Sequence, residues 1–250
     1  MGLKANAVSE YLVKQFLQTG ESVYEDMWLE ALAGIEKHLV VPAAKSKLWL
    51  VAELPQGLRG PVYHLVCFLP GAIAIGATGG LTEAEARKLP SWTKRKDREM
   101  QLAREIMKTC WGMYAVTETG VAPEIAWFNA DTDWINARRQ GKNIPLPRSR
   151  GNLPEWKDDY IIKPLDAHSL QRPETVESLS LMWRVTQDPI YREWGWKIFQ
   201  ALQKYEQLEN GAGYTSLNDV NAIPPPRRDN MESFWLVSSR CVPFGALSRY

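Results

Sequence analysis

Carboxylates gather at the starts of apolar runs in this chain. In "HSLQRPETVESLSLMWRVTQD", His168 to Asp188, the residues Arg172, Pro173, Glu174 and Glu177 stand where irregular sequence gives way to a helical stripe. Glutamates three apart on a helix share a face. Glu174 and Glu177 could therefore point from one helix end into a cavity, with Arg172 orienting one of them. The chemistry open to such a set is proton transfer by a carboxylate base or a carboxylic acid. The same residues also make an ordinary helix start. Pro173 suits the first turn, where its missing N–H is no loss, and Glu174 suits the positive end of the dipole. Taken alone, the motif reads as a helix start before it reads as a site.

Two further segments repeat the pattern. "TETGVAPEIAWF", Thr117 to Phe128, turns at Gly120 and Pro123 and leaves Glu118 and Glu124 near element ends. "RDNMESFWL", Arg228 to Leu236, sets Glu232 at the start of another apolar run. Three helix-entry carboxylates in one chain favour a cavity rimmed by acids. "VYHLVCFLPG" carries a lone His64, a residue more often hydrogen-bonded in the core than ligating. No spacing supports a zinc site, a nucleophile triad or a phosphate loop.

The elements that must position these groups are nearly all helical. Trp28, Leu32, Ile35 and Leu39 follow helical spacing, as do Ala103, Ile106, Cys110 and Met113. Tyr191, Trp194, Ile198, Leu202 and Tyr205 form a third stripe, Val8, Leu12 and Phe16 a further one, and Val176, Leu179 and Trp183 open the run after Glu174. Turn signals separate them: "LPQGLRGP" at 54–61, "TGGLTEAEARKLPS" at 78–91, "ENGAGY" at 209–214 and "IPPPRRD" at 223–229. "KLWLVAEL" and "DDYIIKPL" are the candidate short strands. Residues 129–171 lack periodicity, and a connection of that length is functional or mobile. The expectation is an all-α architecture, helices joined in pairs with elaborate loops at one end.

With 250 residues the chain can bury a substantial core as one large domain or two small ones. A net charge of +1 gives no reason to invoke nucleic acid or an anionic membrane. The longest apolar run, His64 to Ala77, is too short to span a bilayer and holds a proline and two glycines. The first residues lack signal-peptide character. Eleven tryptophans either fill a core or stack on sugars, and composition does not separate the two. Cys67, Cys110 and Cys241 allow one pair plus an odd thiol, or three buried free thiols, the latter preferred on the residues alone.

Taken in order, "SEYLVKQFLQTG", "HLVCFLPGAIAIGA", "TETGVAPEI", "LQRPETVESLSLMWRVTQD", "YREWGWKIFQAL" and "DNMESFWL" resemble glycoside hydrolase family 47, the class I α-1,2-mannosidases, in a fungal form. The match runs from about residue 8 to residue 236. The resemblance implies a partial (α/α)7 barrel and trimming of terminal α-1,2-linked mannose from high-mannose N-glycans. It also implies inversion of configuration, dependence on calcium (Ca2+) and a place in the secretory pathway, in the endoplasmic reticulum, the Golgi or outside the cell. Inversion uses an acid on the leaving oxygen and a base on water, carboxyls ~6.5–9.5 Å apart. Glu174 matches the family's catalytic glutamate, a candidate base. Arg172, Glu124, Glu177, His64, Phe234 and Glu232 match substrate-pocket positions, and Cys67 and Cys110 match the family's disulfide.

The departures carry expectations of their own. The resemblance covers only the C-terminal half or so of a family domain, so the N-terminal hairpins with the general acid are expected to be missing. Asn6 stands where the family has an Asp that is a second base candidate, and an amide cannot take a proton at neutral pH. Tyr63 replaces the Asp before the family's histidine. "VSSRCVPFGALSRY" replaces the closing segment whose threonine binds calcium, so no direct metal ligand carries over. The expected division is a partial catalytic domain, 1–236, and a divergent, disordered tail, 237–250, in which Cys241 has no role. A chain truncated in this way is expected to be inactive, or to be a lectin-like binder of high-mannose glycans.

Overall fold

Three helical hairpins build the chain in the computed structural model, which describes residues 3–53, 60–151, 153–209 and 211–235. The first joins α1 (Leu3–Thr19) to α2 (Ser22–His38) through Gly20, whose φ of 74° suits a residue without a Cβ. The second joins α3 (Leu69–Thr78) to α5 (Lys94–Ala115), with the single turn α4 (Glu83–Ala86) between them. The third joins α8 (Glu174–Thr186) to α9 (Ile190–Tyr205) through Gln187, also left-handed. Helix α3 packs against α1 on one side and α8 on the other, and α2, α5 and α9 back this row.

Most of the sequence stripes are the buried faces. Trp28, Leu32, Ile35 and Leu39 are buried in the first hairpin, and Ala103, Ile106, Cys110 and Met113 in the second. In α9 Tyr191, Ile198 and Leu202 are buried, while Trp194 stacks flat on Trp111 of α5 at 5.5 Å. Two stripes are corrected. In α1, where the side chains of residues 3–9, Val8 among them, lie outside the described residues, Val13 is buried, with Leu12 packed against the core and Phe16 only half-buried. In α8 Trp183 is half-buried under Arg192, and Met182 takes the core position because α8 is covered by both α3 and α9.

Short strands connect the hairpins. β1 (Val40–Pro42) pairs antiparallel with β2 (Trp49–Val51), and β3 (Val62–Tyr63), β4 (Ile125–Phe128) and β5 (Tyr160–Ile161) form a second antiparallel sheet in that order. β2 and β5 lie in the two expected segments. The non-periodic region 129–171 holds α6 (Thr132–Arg139) and α7 (Leu153–Lys157), both too short to show a stripe. Asp131 caps α6 by accepting from the Trp134 N–H at 3.0 Å. "TGGLTEAEARKLPS" likewise holds α4, started by a Thr82–Glu85 capping box. The apolar helical run is longer than the sequence reading set it: His64–Ala86 is long and apolar enough to cross a membrane by length and composition. Here it is a 3-10 helix (His64–Phe68) followed by α3 and α4, broken at Gly79 and mostly buried in the protein.

The Cys67–Cys110 disulfide is present, joining the entry of α3 to α5, and displaces the free-thiol reading for these two residues. Residues 237–250, including Cys241, and most of "LPQGLRGP" lie outside the described residues. Asn6 falls within α1, with its side chain outside them.

Candidate active site

α8 begins directly at Glu174, with Pro173 in the cap position rather than inside the first turn. The 3-10 helix begins at His64, and the two starts meet: His64 Nδ1 lies 3.2 Å from Glu174 Oε2. Helix α5 brings its last turn to the same place, so His64 Nε2 lies 2.8 Å from the Tyr114 hydroxyl and 3.2 Å from Thr175 Oγ1. The tautomer this network assigns carries the proton on Nδ1. Tyr114 donates to Nε2 and His64 donates to the Glu174 carboxylate, while the Thr175 hydroxyl lies against the same Nε2. Burial of Tyr114 raises its pKa far above the phenol range, so it remains a donor.

This chain of donors sets the charge of Glu174. Burial alone pushes its pKa up. The hydrogen bond and field of His64, a backbone N–H and Arg172 outweigh that and hold it below the usual carboxylate range. Its side chain keeps 15% exposure, so an ionised oxygen acceptor faces accessible space. Glu177, one turn on, is shifted the other way, because burial outweighs the nearby Lys14. Lys14 of α1 bridges Glu177 at 3.3 Å and Glu10 at 2.8 Å, tying the first hairpin to α8.

Arg172 and Glu124 form the second half of the cluster. The strand pairing that carries β4 past β3 fixes Glu124 at both backbone groups: its carbonyl accepts from the His64 N–H at 3.0 Å, and its N–H donates to the His168 carbonyl at 2.8 Å. Arg172 then grips the carboxylate with Nε at 2.9 and 3.0 Å and a terminal nitrogen at 2.7 Å. The guanidinium lies over the Phe234 ring, 4.9 Å from its centroid. Burial lowers the Arg172 pKa, but Glu124 raises it further, helped by the charges of Glu174 and Glu232. His64, Tyr114, Glu124, Gln171, Arg172 and Trp235 border a cavity of about 20 Å³, room for one water but not for a sugar ring.

The structure thus brings His64, Glu124, Arg172, Glu174 and Phe234 together, with Glu177 one helical turn away. Glu232 is at the rim, held by Asn230 at 2.7 Å, and Glu118 is a surface partner of Lys157. Tyr63 is half-buried in β3 with its pKa raised by burial and by Glu53 and Asp166. Sequence reasoning missed Lys14, Tyr114 and Thr175. Tyr114 lies four residues beyond Cys110 on α5, so the stripe itself held the signal. Lys14 and Thr175 had none toward the site, because Glu177 and His64 are far from them in sequence.

The family model described as "Glycosyl hydrolase family 47" matches residues 1–239. The Arabidopsis thaliana mannosyl-oligosaccharide 1,2-alpha-mannosidase MNS3 is 42% identical over 246 residues, 94% of this chain and 38% of that protein. The endoplasmic reticulum mannosyl-oligosaccharide 1,2-alpha-mannosidase of Saccharomyces cerevisiae is 36% identical over 95% of this chain and 43% of its own length. The alpha-1,2-mannosidase from Trichoderma reesei superposes with a TM-score of 0.72 at 20% identity, over 97% of this chain and 46% of that one. That likeness is one of fold, and it makes the three hairpins part of an α/α barrel. The chain spans less than half the length of these relatives.

Proposed function

This chain belongs to glycosyl hydrolase family 47, and from that membership we propose that it acts on terminal α-1,2-linked mannose of oligomannose N-glycans, with Glu174 as the base. The observation that carries the reading is the donor chain Tyr114–His64, which ends on a partly exposed, ionised Glu174. An inverting hydrolysis needs such a carboxylate to take a proton from water as the water attacks the anomeric carbon. His64 orients the carboxylate without consuming its charge. Arg172, clamped on Glu124 and stacked on Phe234, supplies a fixed cation and an apolar face for a sugar, with Glu177 and Glu232 as further acceptors for its hydroxyls.

The second half of the reaction, protonation of the leaving oxygen, finds no acid in the cluster without a partner, Glu232 at the rim being held by Asn230. Among its described carboxylates Glu124 is committed to Arg172 and Glu177 to Lys14. That commitment favours a second reading, recognition of high-mannose glycans without cleavage. Among the described residues no group of three or more His, Cys, Asp or Glu could hold a metal ion. Those residue types offer no metal cage there, and no step is derived through calcium. The secretory pathway is part of the proposal, and the buried Cys67–Cys110 disulfide supports it, since such bonds persist in oxidising compartments.

The test is incubation of the purified chain with an oligomannose N-glycan in calcium buffer, with free mannose and glycan binding both measured. Release of mannose that falls at least about 100-fold in Glu174→Gln, with binding kept, is the expected result. Unchanged release in the variant would remove Glu174 from the base role. Binding without any release would establish the second reading.

A further inference from the structure

Helix α9 ends on a carboxyl where the dipole disfavours one. Glu206 is its C-cap residue and is fully buried. Its Oε1 accepts from Ser169 Oγ at 3.1 Å, while its Oε2, Gln171 Nε2 and Ser216 Oγ are buried atoms without a hydrogen-bond partner. Three segments cross at this point. The Glu206 carbonyl accepts from the Thr215 N–H at 2.8 Å, Ser169 exchanges both backbone bonds with Leu217, and the Ser216 N–H donates to the Asn230 carbonyl at 2.9 Å. Gln171 is left-handed with φ 60°, a conformation that needs external support in a residue with a Cβ. Its amide oxygen accepts from the Glu232 N–H at 3.4 Å.

We propose that Glu206 is a positioning residue for the candidate site: from beneath the 169–172 turn it holds Ser169, whose Oγ accepts from the Gln171 N–H at 3.4 Å, and so steadies Gln171 and, through it, the 230–235 segment, so that Arg172 stays on Glu124 and Phe234. The placing of that turn at a glycan site rests on the reading above, but the positioning itself does not depend on catalysis. Burial raises the Glu206 pKa to about 8, offset only in part by the Ser169 hydrogen bond. No cation faces it. Tyr114 of α5 and Tyr214 of the following loop feel its charge, and Arg227 spends its guanidinium on the carbonyls of Tyr205 and Gln207. The carboxyl is therefore neutral at neutral pH. Above about pH 8 a buried anion forms under the turn.

Hydrogen exchange of the whole chain at pH 6.5 and pH 9, corrected for intrinsic rates, tests this. In the wild type, amides of 169–172 and 230–235 are expected to lose protection about tenfold or more at pH 9, while those of α3 do not. Glu206→Gln, neutral at every pH, is expected to keep the same protection at both. Glu206→Ala is expected to lose it at both, and if that variant does not fold, the comparison of wild type with Glu206→Gln decides alone. Equal protection in the wild type at the two pH values overturns the proposal, and so does a Gln variant that loosens with the wild type. Absence of mannose release leaves this measurement untouched, so the two readings fail separately.

Discussion

Arg172 and Glu124 are a case where the shape of the cation matters as much as its charge. Nε and a terminal nitrogen both engage the carboxylate while the planar group lies over Phe234. Lysine offers neither the fork nor the plane. Arg172→Lys is expected to cost about 1–2 kcal/mol in urea unfolding despite the conserved charge, and an unchanged midpoint would show the pair to be a surface-like contact. The acids at this site also fix a pH dependence. The folded-state pKa of Glu174 lies below its ordinary 4.5, so its ionised form adds stability above about pH 4.5 that is lost as pH falls through the depressed value. Melting temperatures of wild type and Glu174→Gln should therefore converge as the pH is taken below 4.5. A gap of constant size would mean that the His64 contact does not act on the carboxylate. Glu206 has the opposite sign: with its pKa raised to about 8, its contribution is full below about pH 4.5 and declines as pH rises towards 8.

At the level of elements, the site is built by how closely α3 approaches α8. Gly71 makes that approach possible. A Cβ there would meet Leu181 Cδ1 at 2.8 Å and the Ser178 Cα at 3.0 Å, and the Gly71 N–H donates to Ser178 Oγ at 3.1 Å. Ser178 in turn donates to the carbonyls of Cys67 and Phe68, locking α8 to the 3-10 helix that begins at His64. Gly71→Ala must push α8 outward, because one of the clashing atoms is backbone. The expected cost is about 1–3 kcal/mol of stability, with a weakened His64–Glu174 contact visible as a rise in the apparent pKa of Glu174. Full stability in the alanine variant would show that the two helices have room to spare. The Cys67–Cys110 bond holds the outer side of the same joint. With its ends 43 positions apart in sequence, its entropic effect is about 4 kcal/mol by loop closure alone.

Across the whole molecule the buried side chains form one continuous cluster, from Val13 and Trp28 through α3 and α5 to Ile198 and Leu202. The chain should then unfold as one unit. Far-UV circular dichroism and tryptophan fluorescence are expected to give coincident urea transitions, and an earlier fluorescence change would show that the first or last hairpin opens alone. Much of this architecture was legible beforehand. Helical stripes, hairpin pairing and acids at element ends depend on neighbours within a few residues, and the sequence carries them directly, although the element after Glu124 is strand β4 and not the helix expected there. The short elements α4, α6 and α7 were not, since four to eight residues cannot display a period. Sequence alone determined that Glu174, Glu177, Glu124 and Glu232 stand at element ends, because capping and periodicity are local. Only the tertiary structure decided which of them are free. His64 meets Glu174 across 110 positions, Lys14 meets Glu177 across 163, and Arg172 meets Glu124 across 48. Glu206, unremarkable in the sequence, became a buried acid only when three distant segments closed over it. Charge and burial at a site are set by whatever the fold brings against it, and local sequence does not encode that.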